Sequence, residues 1–438
     1  MRIAMIGTGY VGLVSGACLS EFGHDVVCVD KDGTKIAALN AGQVPIFEPG
    51  LEDVIGTNVR AKRLSFTEDF AGAVSRADAV FIAVGTPSRR GDGHADLTYV
   101  FAAAEEIARQ LDGYTAIVTK STVPVGTSRK VEEIVRRVRP DAGFDVASNP
   151  EFLREGSAIE DFRRPDRIVV GTESERAKAV MKEVYRPLYL NETPILFTGR
   201  ETAELIKYAA NAFLATKITF INEIADICEK VDADVQDVAR AIGLDGRIGG
   251  KFLHAGPGFG GSCFPKDTLA LLKTSQLVGA PTRIVEAVVE VNEARKAAMA
   301  KKIAEAIGEV RGKTIAILGL TFKPNTDDMR DAPSLAIVPA LRKNGATVRA
   351  YDPEGMGEAR KHLDIEFCRD AYQALAGADA VVILTEWNEF RALDLKRVKA
   401  LLKSPVMIDL RNIYRPAQMA AAGFHYFSVG RPSVSPKS

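Results

Sequence analysis

The chain has 438 residues, enough for two or three domains, and its 46% apolar and 26% charged content is ordinary for a globular protein. Its 57 basic residues balance its 57 acidic residues, so no overall charge points to nucleic acid or to a membrane surface. No stretch approaches the roughly 20 apolar residues that span a bilayer, and we expect no signal peptide. Five scattered cysteines, without a Cys-x-x-Cys pair or a His/Cys cluster, predict a reduced, cytoplasmic protein with no metal site.

The chain begins with the pattern of a dinucleotide-binding fold. A short apolar strand, 2–6, runs directly into the motif Gly7-Thr-Gly-Tyr-Val-Gly12, and a helical pattern follows over 13–22. A second strand, 25–29, ends at Asp30, 18 residues after the last glycine of the motif. A Gly-x-Gly-x-x-Gly alone is a weak signal, but its place between a strand and a helix, with an acid ending the next strand, is strong.

Each residue of this motif has a physical task. Gly7 makes the tight turn, Gly9 lets the backbone approach a pyrophosphate, and Gly12 lets the helix pack against the strand. Asp30 can accept hydrogen bonds from the adenosine ribose, and its charge favours NAD over NADP because a 2′-phosphate would be repelled. The N-terminus of the helix that follows receives the phosphates. We therefore predict an NAD-binding Rossmann domain over residues 1–198.

The strand and helix alternation continues through this domain. We predict strands at 77–84, 116–120 and 145–148 and a helix at 96–111. Polar loops rich in Gly and Pro follow the strands at 85–88, 121–127 and 149–156. Ordinary turn chemistry explains one such loop, but three of them at the carboxyl ends of parallel strands indicate a ligand site.

The sequence pattern in the middle of the chain predicts helices. Residues 201–230 form one long amphipathic pattern, and residues 281–307 form a second, Ala/Val-rich one. Lys207 and Asn211 are four residues apart and share one face among Ala and Phe side chains. The alternative is a solvated polar edge. We predict a central helical domain over 199–308 that also forms a dimer interface.

A glycine-rich stretch in this domain, Gly256-Pro-Gly-Phe-Gly-Gly-Ser-Cys-Phe-Pro-Lys-Asp267, holds a single cysteine just ahead of an apolar run. Pro265 suits the first turn of a helix, so Cys263 would lie at the helix N-terminus. The helix dipole and Lys266 would both favour a thiolate there. The alternative is a Gly-rich turn with an incidental buried cysteine.

The strand and helix pattern then returns. Strands at 313–318, 346–351, 378–384 and 406–410 and a helix at 334–343 suggest a degenerate copy of the first domain. Gly345-Ala-Thr-Val-Arg-Ala-Tyr-Asp352 parallels Gly23-His-Asp-Val-Val-Cys-Val-Asp30, but Gly319-Leu-Thr-Phe-Lys-Pro324 replaces the glycine motif. We predict a second Rossmann-like domain over 309–438 that binds a mononucleotide or sugar nucleotide, and a disordered tail over 433–438. The fold class is therefore α/β, with two doubly wound parallel-sheet domains joined by a long central helix.

These residues suit a particular chemistry. A dinucleotide domain implies hydride transfer. A thiolate at Cys263 could attack an aldehyde, and the adduct could lose a second hydride to give a thioester that water hydrolyses. Such a site needs donors for the developing oxyanion and a carboxylate that activates water. Lys207, Asn211 and Asp267 are of the required types, and Glu151 and Glu155 are further acid/base candidates.

The motifs together resemble those of the nucleotide-sugar dehydrogenases, the UDP-glucose/GDP-mannose dehydrogenase family. The resemblance covers nearly the whole chain in order. It is carried by residues 7–12, 85–88, 120–126, 149–155, Lys207-Tyr-Ala-Ala-Asn211, 256–267 and Phe322-Lys-Pro324.

The resemblance implies a four-electron oxidation of UDP-glucose to UDP-glucuronate, with two NAD reduced, by a homodimer of two Rossmann-like domains joined by a long helix. It implies that Cys263 is the nucleophile, that Lys207 and Asn211 stabilise the alkoxide and oxyanion, and that Asp267 and Glu151, with Thr122 nearby, assist proton transfer through water. The cofactor contacts it implies are Gly7, Gly9, Tyr10, Val11, Gly12, Asp30, Lys35, Thr86, Thr122, Glu155, Lys266 and Arg330. The substrate contacts it implies are Phe152, Leu153, Arg154, Glu155, Lys207, Asn211, Phe252, Leu253, His254, Gly256, Gly260, Phe322 and Lys323, with Arg247 matching an arginine that reaches the substrate of the partner subunit.

Two alternatives stay open. One is the same chemistry on another sugar nucleotide, such as GDP-mannose or a UDP-N-acetylhexosamine. Phe264 beside the cysteine favours the UDP-glucose branch. The other is a catalytically idle NAD- or nucleotide-binding protein, against which the set Cys263, Lys207 and Asp267 argues because buried ionisable groups are costly.

Overall fold

A computed structural model describes residues 1–87 and 95–436. Ser88, the last residue of the predicted loop 85–88, lies outside the described residues, as do the last two residues of the tail. The chain divides into two compact units. The first comprises Met1–Ala210 with Lys273–Gly279, and the second comprises Asn211–Leu272 with Ala280–Ser438. The finer domain limits near 198 and 308 stay predictions.

The first unit is built on an eight-stranded sheet. Its strands run in the order β3-β2-β1-β4-β5-β6-β7-β8, and all neighbours are parallel except β6 and β7, which are antiparallel. Its first six strands therefore follow the dinucleotide-binding order. The strands are β1 (Arg2–Ile6), β2 (Asp25–Val29), β3 (Leu64–Thr67), β4 (Ala79–Ile82), β5 (Tyr114–Thr119), β6 (Gly143–Ser148), β7 (Ile168–Gly171) and β8 (Ile195–Thr198).

Helices cover both faces of this sheet, and the side chains of β1 show why. Ile3 and Met5 belong to one buried cluster, and Ala4 and Ile6 belong to another. Successive residues of a strand point to opposite faces, so a strand that is apolar from Ile3 to Ile6 needs cover on both sides. The helices are α1 (Tyr10–Glu21), α2 (Gly33–Asn40), α3 (Leu51–Arg60), α4 (Phe70–Val74), α5 (Thr98–Gln110), α6 (Thr127–Val138), α7 (Ala158–Arg163) and α8 (Glu175–Val184), with a 3-10 turn at Arg186–Asn191.

The second unit holds a six-stranded, all-parallel sheet in the order β11-β10-β9-β12-β13-β14. The strands are β9 (Thr314–Leu318), β10 (Thr347–Tyr351), β11 (Glu366–Phe367), β12 (Ala380–Ile383), β13 (Val406–Asp409) and β14 (His425–Ser428). The remaining helices are α9 (Arg200–Cys228), α10 (Val235–Gly243), α11 (Phe264–Leu277), α12 (Arg283–Ile307), α13 (Ser334–Lys343), α14 (Met356–Ala359), α15 (Ala371–Leu375), α16 (Asn388–Arg391), α17 (Leu395–Leu401) and α18 (Pro416–Ala421).

The two sheets repeat the same design, as the sequence predicts. The amide of Gly7 donates to the carbonyl of Val29 at 2.7 Å, and the amide of Gly319 donates to the carbonyl of Tyr351 at 2.8 Å. Both glycines have a left-handed φ, +104° and +92°, which side chains other than glycine rarely adopt. The first turn after the first strand is therefore retained in the second unit although the glycine motif is not.

The predicted elements are found within a few residues of their expected limits, and α9 is the long helix predicted between the two sheets. Two expectations need correction. The first sheet is not wholly parallel, because β7 and β8, which the sequence did not reveal, run opposite to β6. The tail is ordered at Val434, whose backbone pairs with Tyr426. Among the described residues, no helix is both long enough and apolar enough to cross a bilayer.

Candidate active site

The first turn of the chain leaves room for a ligand at one glycine only. A Cβ on Gly7 would lie 2.7 Å from the carbonyl oxygen of Ala83, and a Cβ on Gly12 would lie 2.0 Å from that of Gly7. A Cβ on Gly9, in contrast, would meet no atom within 4 Å. Gly7 and Gly12 are therefore required by the protein itself, whereas Gly9 faces open space at the N-terminus of α1, where amides and helix dipole favour phosphate.

Asp30 is held in place at the end of β2. One carboxylate oxygen accepts from the amide and hydroxyl of Thr8, at 2.8 and 2.6 Å, and the other accepts from the amide of Asp32 at 3.0 Å. Burial acts to raise the pKa of Asp30, but these donors and the charge of Lys35 outweigh it, so the pKa is lowered. An ionised, positioned acceptor beside the glycine turn fits the ribose of NAD.

A second carboxylate, Glu48, links this turn to the loop after β6. It is buried and accepts from the hydroxyl of Tyr10 and from the amides of Gly156 and Ala158, the last two at 2.6 and 2.7 Å. Burial, followed by the bond to Glu48, raises the pKa of Tyr10, so its phenol stays protonated. Local sequence patterns contain no signal for Glu48, since its partners lie 38, 108 and 110 residues away.

The loops after β4 and β5 are also joined. The hydroxyl of Thr86 donates to the carbonyl of Thr122 at 3.0 Å, and both residues are buried. This bond fixes two of the predicted cofactor contacts to each other.

Lys207 and Glu151 form a buried ion pair in the first unit. The ammonium of Lys207 lies 3.0 Å from the carboxylate of Glu151, whose second oxygen accepts from the amide of Leu153 at 2.5 Å. The ring of Phe152 lies 5.4 Å from the Lys207 ammonium, and the Arg167 guanidinium lies 3.7 Å from the same ring. Lys207 is 2% exposed, so the interpretation as a solvated polar edge is wrong.

Asn211, on the same helix, belongs to a second buried pair, in the second unit. Its amide donates to the carboxylate of Asp267 at 2.6 Å. The other oxygen of Asp267 lies 3.5 Å from the ammonium of Lys266. Asp267 is 1% exposed and Asn211 is 6% exposed, so both are withdrawn from water. A short bond to a charged acceptor in such a place is strong.

Cys263 lies at the N-terminus of α11, as the sequence predicts. Its carbonyl accepts the amide of Asp267 at 2.8 Å, which is the first bond of the helix, and Pro265 lies in the first turn. The sulfur is half-buried, 3.5 Å from the hydroxyl of Ser262. The other four cysteines are buried, so Cys263 is the accessible thiol at the positive end of a helix dipole.

Polar side chains from α9 and α12 hold the glycine-rich loop ahead of Cys263. The side chain of Asn222 accepts from the amide of Gly256 at 2.8 Å, and Arg295 donates to the carbonyl of Gly256 at 2.7 Å. Asn292 accepts from the amide of Phe259 at 2.8 Å and donates to its carbonyl at 3.1 Å. These supports were missed in the sequence. The sequence feature that could have indicated them is the position of Asn292 and Arg295, three residues apart, on one face of an Ala/Val-rich helix.

Packing explains two glycines of this loop. A Cβ on Gly260 would lie 2.3 Å from the carbonyl oxygen of Asp331, and one on Gly261 would lie 2.6 Å from the ring of Phe322. The loop therefore sits against the segment 322–332, with the Gly261 amide donating to the carbonyl of Arg330 at 2.7 Å.

The remaining predicted contacts lie around these centres or at the surface. Phe252 has a left-handed φ of +66° and its ring lies 6.0 Å from that of Phe264. The side chain of Leu253 is in the core of the second unit, which leaves only its backbone for a ligand. Arg154, Arg247 and Arg330 are largely exposed and pair with Asp161, Asp245 and Asp328, respectively. His254 is exposed, Glu155 is buried, and the Lys323 ammonium lies 5.3 Å from the Phe322 ring.

Comparison with known proteins identifies the family. Residues 1–189, 201–294 and 316–416 match the NAD binding, central and UDP binding domains of the UDP-glucose/GDP-mannose dehydrogenase family. The UDP-glucose 6-dehydrogenase of Rhizobium meliloti (strain 1021) is 66% identical over 436 residues, which cover 99% of this chain and 100% of that protein. The UDP-glucose 6-dehydrogenase TuaD of Bacillus subtilis (strain 168) is 52% identical, covering 99% and 94%. The chain belongs to the UDP-glucose/GDP-mannose dehydrogenase family.

Solved structures of this family support the fold. A UDP-glucose dehydrogenase from Pyrobaculum islandicum is 40% identical, covers 98% of both chains and superposes with a TM-score of 0.90. A UDP-D-ManNAc dehydrogenase from Pyrococcus horikoshii is 27% identical, covers 98% of this chain and 99% of its own, and gives a TM-score of 0.85. The family's NAD binding domain covers the open Gly9 and the positioned Asp30, so the chain is an NAD-dependent oxidoreductase.

Proposed function

We propose that this enzyme oxidises UDP-glucose to UDP-glucuronate by way of a thiohemiacetal and a thioester on Cys263. The observation that carries the proposal is the arrangement at the start of α11. There the backbone amide of Asp267 donates to the carbonyl of Cys263 at 2.8 Å, and the side-chain amide of Asn211 donates to the Asp267 carboxylate at 2.6 Å, so the carboxylate is held one helical turn after a half-buried thiol. A simple alcohol dehydrogenase has no use for a thiol at a helix N-terminus, whereas acyl chemistry needs one.

The residues of the first unit suit the binding of NAD and the first oxidation. Gly9 leaves space for the pyrophosphate and Asp30 accepts from the ribose. NAD, when bound, accepts a hydride from the sugar carbon, so a four-electron oxidation consumes two NAD+ per sugar. Lys207, as a buried ammonium, stabilises the alkoxide that forms as the hydroxyl loses its proton, and Glu151 receives that proton through water.

The residues of the second unit suit the later steps. The Cys263 thiolate attacks the aldehyde carbon, and Asn211 donates to the developing oxyanion. Loss of a second hydride leaves the thioester. Asp267 then accepts a proton from the water that attacks the thioester carbon, and the carboxylate product leaves as the thiol is restored. Asp267 is buried and positioned for this because Asn211 and Lys266 hold its two oxygens.

The comparisons favour UDP-glucose over other sugar nucleotides. Full-length relatives named UDP-glucose 6-dehydrogenase are 44–66% identical, whereas a GDP-mannose dehydrogenase from Pseudomonas aeruginosa is 31% identical and a UDP-D-ManNAc dehydrogenase is 27% identical. The idle-protein alternative leaves two buried charged groups, Lys207 and Asp267, without a purpose.

Steady-state NADH production across UDP- and GDP-sugars tests the proposal. We expect two NADH per UDP-glucose, and Cys263→Ser to lose complete oxidation by more than about 100-fold while still binding UDP-glucose and NAD. One NADH with release of aldehyde would exclude the thioester, and faster oxidation of GDP-mannose would overturn the choice of sugar. Normal turnover by Cys263→Ser would make the cysteine structural.

We also propose a homodimer formed through the second unit. Phe213, Phe220 and Ile227 recur every seven residues along α9 and are exposed, and Leu244 and Ile248 are exposed as well. Exposed apolar stripes of this kind mark protein interfaces. Phe213→Asp with Phe220→Asp should convert a dimer to a monomer in light scattering, whereas Leu190→Asp, at an exposed apolar residue of the first unit, should not. A wild-type monomer would refute the dimer.

The four buried cysteines, Cys18, Cys28, Cys228 and Cys368, are free thiols, which supports a reducing compartment that we take to be the cytoplasm.

A further inference from the structure

Lys120 is a buried ammonium that the proposed chemistry does not use. It follows β5 and is 5% exposed. Its ammonium donates to the side-chain oxygen of Asn149 and to the hydroxyl of Tyr185, both at 3.2 Å. It also lies 5.7 and 5.8 Å from the rings of Phe162 and Tyr185. Within the part of the chain that the structure describes, these direct contacts of the ammonium are neutral.

Such a group is expensive to keep. An ammonium withdrawn from water without a carboxylate at contact distance loses its hydration, and neutral oxygens and rings return only part of that free energy. Burial therefore lowers the pKa of Lys120 to about 8. A methionine would fill the same space without this cost. The free-energy cost of this buried ammonium indicates that the charge of Lys120 has a function.

Two charged groups near Lys120 belong to the proposed reaction. The Glu151 carboxylate raises the pKa of Lys120 and the Lys207 ammonium lowers it, both less than burial does. They face Lys120 from the loop after β6 and from α9, and the third ionisable neighbour, Tyr185, keeps its proton because burial raises its pKa. Two ammonium groups thus share one carboxylate. The positive charge of Lys120 therefore attracts the Glu151 carboxylate and repels the Lys207 ammonium.

Hydrogen bonds also connect Lys120 to Asn149, which lies two residues before Glu151. The Asn149 side-chain oxygen accepts from Lys120 and, at 2.6 Å, from the hydroxyl of Tyr185, and its amide donates to the carbonyl of Val169 at 2.8 Å. Asn149 is therefore fixed at both ends of its side chain. Pro150, with its restricted φ, follows directly, and Glu151 comes next.

We propose that Lys120 is a positioning residue that fixes the Asn149–Glu151 segment and supports the negative charge of the Glu151 carboxylate beside Lys207. It acts on the reaction through these two residues and does not touch substrate or cofactor. This inference deepens the proposed function and rests on it for its kinetic test.

The sign of the effect follows from the charges. Replacing Lys120 by neutral methionine removes a positive charge near the Glu151 carboxylate, so negative charge beside Lys207 is stabilised less well than before. The acid limb of kcat against pH, measured as NADH formation at saturating UDP-glucose and NAD, should move up by about one pH unit. The two KM values should change less than about threefold, because uniform binding is not altered.

Two variants separate this role from a structural one. Lys120→Arg keeps the charge and should keep the acid limb in place. Tyr185→Phe removes a hydroxyl that accepts from Lys120 but leaves the ammonium, so it should lower the thermal stability without moving the limb. An unmoved acid limb in Lys120→Met, or in Lys120→Gln if the methionine variant does not fold, would overturn the proposal.

A second measurement does not depend on the reaction. In protein labelled with 13C at the lysine ε-carbon, one resonance should titrate near pH 8 and be absent from Lys120→Arg. Its midpoint should fall in Glu151→Gln, because the carboxylate that favours the ammonium is gone. A Lys120 resonance that titrates only above about pH 10, as free lysine does, would overturn the charge coupling. Absence of NADH formation by the wild-type protein would instead refute the proposed function and leave this titration to decide the coupling.

Discussion

Asp352 and Asp30 follow equivalent strands, β10 and β2, in the two sheets, but their carboxylates are held differently. Asp352 is fully buried. One of its oxygens accepts from the amides of Leu320 and Thr321, the Thr321 hydroxyl and the Trp387 indole, and the other accepts from the amides of Glu354 and Gly355 at 3.0 and 2.7 Å. Such a carboxylate is engaged within the protein, so we expect Asp352→Asn to damage folding rather than ligand binding.

The magnitude follows from the geometry. An asparagine can keep its oxygen toward the four donors only by turning its amide group toward the other two. Two buried N–H groups then lose their acceptor, at about 1–3 kcal/mol each, for a total of about 2–6 kcal/mol. A chain segment of this size loses about 2–4 °C per kcal/mol, so the melting temperature of the second unit should fall by about 10 °C.

Asp30→Asn is the matched control. Its amide group can turn toward a single donor, the amide of Asp32, so the stability should change by less than about 1 kcal/mol. Its affinity for NAD, measured by calorimetry, should fall by about tenfold or more because a charged acceptor is lost. Wild-type melting of Asp352→Asn together with weaker binding of UDP-glucose would refute the reasoning and make Asp352 a ligand contact.

Two further predictions concern the thiols and the glycine-rich loop. Iodoacetamide at pH 8 should modify Cys263 first in the folded protein, because burial raises the pKa of Cys18 and Cys28 to about 12 and also raises the pKa of Cys228 and Cys368. Peptide mass spectrometry measures the order of modification, and early modification of Cys18 would contradict the prediction. Asn292→Leu should lower kcat and leave the NAD affinity unchanged, because the amide and the carbonyl of Phe259 both lose their hydrogen-bond partner. Glu290→Ala, at an exposed position of the same helix, is the control. An unchanged kcat in Asn292→Leu would show that the loop does not need this support.

Local patterns predicted much of the fold. The strands β1, β2, β9 and β10 are largely apolar, carry β-branched residues and are bounded by turns, so the sequence pattern predicted them directly. The missed strands are weaker signals. β11 has two residues, and β8 is partly exposed, so neither shows a clean period. The reversal at β7 depends on the packing of distant segments, which no local pattern records.

In the candidate site, too, local motifs predicted some features, and contacts between distant segments could not be predicted. The motifs gave the residue types and, on α9, the shared face of Lys207 and Asn211. The partners of these residues could not be read, because Glu151 and Asp267 are each 56 residues away from them in sequence. The parallel between Asp30 and Asp352 is visible in the sequence, yet their different hydrogen bonding is set by the loops around them. Burial thus gives Asp352 a structural role, whereas the cofactor contact at Asp30 stays a prediction.

The pairing of Val434 with Tyr426 has a consequence beyond local order. The amide and carbonyl of Tyr426 both bond to Val434, at 2.8 and 3.0 Å, along the outer side of β14, the last strand of the sheet. An open strand edge recruits strands of other molecules and starts aggregation. The segment around Val434 therefore covers part of this sheet edge and blocks its pairing with strands of other molecules. A truncation or fusion that lifts Val434 away would show its effect first in solubility, while the catalytic groups stayed unchanged.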